Sequence, residues 1–167
     1  MPLIDLNEIS SPLVLRAYDY WKGKHRNGHL PARADIDPLE IPELLPNVLI
    51  SQAKQDPFSI VYRLAGTEVV AMNKMDLTGK PLNYGIEQPA WRQYWRDAYW
   101  LGCSERRPIF GADTYEYRDR EHVNFEWCIL PLAQNGVDVD MFFEIEAYAE
   151  GARAGRGVPV YTGQPSE

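Results

Sequence analysis

The chain has 167 residues, 45% of them hydrophobic and 25% charged, which suits one globular domain with short extensions. A net charge of -7 and a pI near 5.0 disfavour nucleic acid and anionic membranes as partners, since both select for clustered Lys and Arg. Two cysteines, Cys103 and Cys128, are too few for a disulfide framework or a zinc site and read as reduced thiols.

The opening "MPLIDLNEISSP" lacks the basic start and apolar run of a signal peptide. No stretch reaches the ~18 apolar residues needed to cross a bilayer, so a cytoplasmic protein without membrane insertion is expected. "SSPLVLRAYDYWKGKHRNG" reads as a helix, with Ser11 as N-cap, Pro12 at the first position and Gly28 as the left-handed stop. Val14, Ala17, Tyr18 and Trp21 form its apolar stripe, which Leu13, Leu15 and Tyr20 widen. A helix so wide in its apolar surface either lies under other structure or pairs with a copy of itself, so Leu13, Leu15, Tyr18 and Trp21 are candidate dimer contacts. In "LPARADIDPLEIPELLPN", Asp37 before Pro38 starts a short helical piece and Pro46 closes it.

"NVLISQAKQ" and "FSIVYRLAG" read as two strands around an Asp56-Pro57 turn. Both phases of the second are apolar, as in a strand covered on two faces. "TEVVAMNKM" forms a short helix capped by Thr67, and "DLTGKPL" turns at Gly79. "EQPAWRQYWRDAYWLGC" is a second long helix, from Pro89 to about Gly102, with Trp91, Tyr94, Trp95, Ala98 and Leu101 on one face. Three strands follow, with turns near Asp119-Arg120-Glu121 and at Asn135-Gly136. In the last, Val139 to Ala147 alternates with Asp140, Glu144 and Glu146, the pattern of a half-buried strand. After Glu150 the Gly- and Pro-rich end reads as a flexible tail. Tight turns between neighbouring strands imply an antiparallel sheet, hence an α+β domain with the middle helices packed across one face.

That order resembles the Per-Arnt-Sim (PAS) sensory fold, in which a five-stranded antiparallel sheet cups a ligand beneath a run of helices. "YRLAGTEVVAMNKMDLTGKPL" resembles its second strand and connecting helices, and "FEWCILPLAQNGVDVDMFFEIEA" its closing hairpin. With "YW", "LPARADIDP" and "LLPNV", the chain is similar to a family of stand-alone bacterial PAS-like proteins, mostly without assigned activity. The resemblance implies a helical extension and linker over 1–46, the PAS-like domain over 47–150 and the tail over 151–167. It also implies sensory signalling through a protein partner or through self-association as a homodimer.

The three histidines, His25, His29 and His122, have no second ligand at metal-binding spacing. Haem-binding PAS domains resemble one another in placing a His between the second and third strands, and none lies there. The flavin sensors carry an Asn-Cys-Arg motif that is absent. No haem, flavin or other cofactor is therefore expected. An unidentified small organic ligand is the remaining candidate. Trp91, Tyr94, Trp95, Tyr99 and Trp100 span more than one helix face, so some should line a cavity. The expected pocket comprises Tyr62, Leu64, Tyr84, Trp91, Tyr94, Trp95 and Tyr115. Asp113, Glu116, Glu126, Glu144 and Glu146 alternate with apolar residues and read as a solvated outer face rather than as catalytic groups. An inward carboxylate among them would instead suit a small cone-shaped isomerase or dehydratase, the alternative reading. Arg33, Asp35 and Asp37 read as a structural motif in which Asp37 caps and Arg33 pairs with a carboxylate. Gly66 and Thr67 form a corner with Thr67 as cap.

Overall fold

The computed structural model describes residues 3–117, 122–149 and 159–160. Helix α1 (Pro12–Gly23) opens as its sequence dictates: the Ser11 hydroxyl accepts from the Val14 amide and Pro12 occupies the first position. It ends at Gly23, earlier than the sequence suggests, and Gly28 takes its positive φ in the turn beyond. Three short 3-10 turns then lead to β1 (Val48–Gln55) and β2 (Phe58–Ala65), joined through a cis Asp56–Pro57 bond. In the second of those turns the Asp37 carboxylate caps the Leu39 amide at 2.9 Å.

Helix α2 (Thr67–Asn73) follows a corner that works differently from the sequence expectation. Gly66, not Thr67, is the N-cap, and Thr67 makes no cap bond. Gly66 is required by close approach: a Cβ there would lie 2.4 Å from the carbonyl oxygens of Leu45 and Pro46. Helix α3 (Pro89–Glu105) starts at Pro89 and has Gly102 near its end, as the sequence suggests. Gly102 lets the helix settle onto Phe142, whose ring would stand 2.9 Å from an added Cβ. Then come β3 (Ile109–Tyr117), β4 (His122–Leu132) and β5 (Met141–Tyr148), with a two-residue strand β6 (Pro159–Val160) on the far edge. The turn expected near 119–121 and the rest of the 151–167 tail lie outside the described residues.

All pairings are antiparallel and the sheet order is β2-β1-β5-β4-β3-β6, so five long strands form the expected sheet. Both of its faces are covered in the middle. On one face α1 sets Tyr20 against Phe143 and Tyr18 against Phe110. Trp21 is buried there, donating from Nε1 to the Pro131 carbonyl at 2.8 Å. On the other face α3 sets Trp95 against Trp127 and Tyr99 against Phe142. Strand β5 is therefore buried from Phe142 to Ile145 on both sides, not half-buried as its alternation suggests. Strand β2 differs the other way. Expected to be covered twice, it sits at the sheet edge with only Ile60 buried. Its free backbone edge is met by the loop after α2: Tyr62 donates to the Lys80 carbonyl, Gly79 to Tyr62 and Leu82 to Ile60. Gly79, at φ 79°, makes the bend that allows this.

Trp127 lies flat over Gly111 on the neighbouring strand; a Cβ at Gly111 would stand 2.2 Å from its ring. Gly111→Ala should therefore cost about 1–3 kcal/mol, because a well-packed core yields only by strain. Urea unfolding would show it as a lowered midpoint, while Gly23→Ala, which meets open space at the end of α1, keeps or raises the midpoint. An unchanged Gly111→Ala midpoint would contradict this packing.

Candidate functional site

Five carboxylates on the strands read as solvated, and two of them are not. Glu144, on β5, is 3% exposed and faces α3. The Tyr99 hydroxyl donates to its Oε2 at 2.5 Å, and the Ser51 hydroxyl from β1 donates to Oε1. These two donors favour the ionised form, but loss of water outweighs them. Desolvation raises the pKa to about 8, and the neighbouring Glu146 adds a smaller push in the same direction. Tyr99 is itself raised well above its usual range, by burial first and then by the Glu144 charge and a bond with Tyr62.

Asp113, on β3, is the second. Its Oδ2 accepts from Trp127 Nε1 at 2.8 Å and from the Tyr94 hydroxyl at 3.4 Å, while Oδ1 has no partner among the described residues. Burial lifts its pKa to about 6, and the Trp127 bond opposes that rise. Glu126 behaves otherwise: its carboxylate, on the α1 face, accepts from the amides of Ser10 and Ser11 at 2.9 and 2.7 Å and from the Ser10 hydroxyl at 2.6 Å. It fastens the chain ahead of α1 to β4. The Glu116 side chain lies outside the described residues.

Beneath α3, between the sheet and the 73–86 connection, is a cavity of about 60 Å³. Its polar lining includes Glu144, Glu146, Asn83 and the tyrosines 62, 84 and 99, and its walls include Trp95 and Trp127. A site for a drug-sized ligand or large cofactor typically occupies about 300–1,000 Å³, so this one suits a small occupant.

Of the seven expected pocket residues, Tyr62, Tyr84 and Trp95 line this cavity. Trp91 is buried outside the lining and Tyr94 turns to Asp113. Leu64 is 41% exposed on the edge strand and lines nothing. The Tyr115 side chain lies outside the described residues. Sequence reasoning missed Ser51 and Asn83, and read Glu144 and Glu146 as solvated. The available signal was Phe142, an aromatic in the same phase as Glu144, which marks that face as covered. Arg33, Asp35 and Asp37 stay clear of the cavity. Arg33 donates to the Ile36 carbonyl at 3.0 Å rather than to a carboxylate, and Asp35 accepts from the Ala32 amide. Leu13, Leu15 and Tyr18 are half-buried against the core, and Trp21 is too deeply buried to serve as a dimer contact.

The family model of the PAS domain matches residues 9–145. The chain belongs to the PAS domain family. It thereby joins a family of sensory and signalling domains. Seventeen chains among solved structures match. One, a structure of a variant of RsLOV, is 11% identical with a TM-score of 0.46 over 70% of each chain. No curated protein matches. Among the described residues no helix is long and apolar enough to cross a membrane.

Glu144 makes stability depend on pH with a definite sign. Its pKa is raised on folding, so the native state holds the proton more tightly than the unfolded chain. The contribution is fully present below the ordinary 4.5 and is lost as pH rises through about 8. Glu144→Gln should thus match the native chain at pH 5 and exceed it by roughly 2–4 kcal/mol at pH 8.5 in urea unfolding. Equal pH slopes for the two proteins would contradict the burial.

Proposed function

We propose that this PAS domain holds a small ligand in the cavity beneath α3 and passes its occupancy to a protein partner or to a second copy of the chain. The observation that carries this reading is a polar floor inside an otherwise aromatic and aliphatic cavity, with Glu144 at its base. Buried polar groups are costly to keep in a core, and a few convergent ones in an apolar cleft are the mark of a ligand site. Trp95 and Tyr99 line the cavity from α3, so an occupant bears directly on that helix. Residues 47–150 act as the sensory unit in this reading, and 1–46 as its cover. The half-exposed Leu13, Leu15 and Tyr18 on α1 are the surface for self-association.

Glu144 also favours a second reading, acid catalysis by an inward carboxylate. Binding fits better. Both Glu144 oxygens are already engaged, by Ser51 and Tyr99, and Asp113 does not line the cavity. We therefore assign no enzymatic role.

Native mass spectrometry of the protein purified from its own host tests both parts together. A non-covalent small-molecule adduct, shed on unfolding, and a dimer are the expected species. A bare monomer, with Trp fluorescence unmoved by the host's small-molecule extract, would overturn the proposal.

A further inference from the structure

The cavity's chemistry narrows its occupant, given the ligand-binding reading above. Two carboxylates, Glu144 and Glu146, line it, and among the described residues no Lys, Arg or His does. Lys80, which stacks 4.8 Å from the Tyr84 ring centroid, is not among the lining residues. An anion there would find no cation among the described lining residues to offset its charge. A second observation points the same way. Asn83, also in the lining, has its Nδ2 donating to the Arg92 carbonyl at 3.1 Å, while its Oδ1 is shut off from solvent with no donor among the described residues. If the Asn83 amide turns this acceptor toward the cavity, an occupant bearing N–H groups removes the cost of leaving it without a donor.

We infer that the cavity takes a small organic cation, a primary alkylammonium of about three carbons. An ammonium group has three donors and no acceptor, which answers a lining rich in acceptors. Its charge offsets the desolvation that otherwise keeps Glu144 protonated. The indole rings of Trp95 and Trp127 present surfaces that favour a cation and also shelter an alkyl chain. Size sets the chain length. At about 60 Å³ the cavity is far smaller than the roughly 300–1,000 Å³ of drug-sized sites, so a short chain suits it.

The test compares n-propylammonium with two near-isosteres, propionate and propionamide, by thermal shift and intrinsic Trp fluorescence at pH 7.5 and fixed ionic strength. Propylammonium is expected to raise the melting temperature and perturb Trp emission in a saturable way, with at least tenfold tighter binding than either isostere. Glu144→Gln should remove that tenfold preference. Glu126→Gln, on the α1 face and away from the cavity, should keep it. The melting temperature at pH 5 establishes that both variants are folded. Binding of propionate or propionamide in preference to the amine overturns the assignment of ligand class and leaves a small-ligand site standing. Failure of all three to bind overturns the assignment too, and the native-mass adduct then decides separately whether a ligand site exists. Unaltered preference in Glu144→Gln overturns the role given to its carboxylate.

Discussion

Burial of β5 on both faces is the constraint on which the rest of the molecule depends. Phe143 is held under Tyr20 of α1, and Phe142 is held under Tyr99 of α3. Gly102 in α3 and Gly111 in β3 remove the Cβ atoms that would keep Phe142 and Trp127 from closing that layer. Glu144, in the same phase as Phe142, is carried inside by this packing. Its carboxylate is then cut off from water, and the hydroxyls of Ser51 and Tyr99 are the partners it finds. A buried carboxylate so placed links β1, β5 and α3 through one pair of oxygens.

The two faces of the sheet consequently differ in character. The α1 face is packed over its middle by aromatic rings and by the Trp21 bond to Pro131, while an open groove of about 580 Å³, lined by Ser10, Ser11, Ala112, Glu126 and Ala147, runs where the chain ahead of α1 meets the sheet. The α3 face keeps a cleft, lined by strand residues, by Trp95 and Tyr99 of α3 and by residues of the 73–86 connection. Its polar groups come from separated parts of the chain: Glu144 and Glu146 from β5, Asn83 from the connection, Tyr62 from β2 and Tyr99 from α3. A shift in any of these elements is felt at the floor of the cleft. That is the physical basis for reading occupancy as a signal, since a ligand acts on a conformational equilibrium only through contacts that differ between its states.

Much of the fold was legible in the sequence, because its determinants are local. Ser11-Pro12, Asp37-Pro38 and the Asn135-Gly136 turn each act within a few residues, and all three do what their chemistry dictates. The Asn135 side chain, for instance, accepts from the Val137 and Asp138 amides. The aromatic content of α3 also pointed to a cavity, and Trp95 and Tyr99 do line one. What escaped were properties set by distant segments. Alternation along β5 marks two faces but does not say that a helix some forty residues earlier covers the more polar one. Hence Glu144 and Asp113 read as solvated when they are buried. The apolar phases of β2 likewise gave no hint that it lies at the edge, where the loop after α2 completes its hydrogen bonding. Gly66 looked like a flexible corner, whereas its role is to let two carbonyls approach.

Everything functional in the cleft follows from Glu144 being shielded by α3, and its ionisation reports that shielding directly. Carbon-detected NMR of the Glu144 side-chain carboxyl, followed from pH 4 to pH 10, measures it. A titration midpoint near 8 is the result a sealed carboxylate gives. A midpoint near the ordinary 4.5 would mean that water reaches the floor of the cleft, and would contradict the burial from which the ligand site was built.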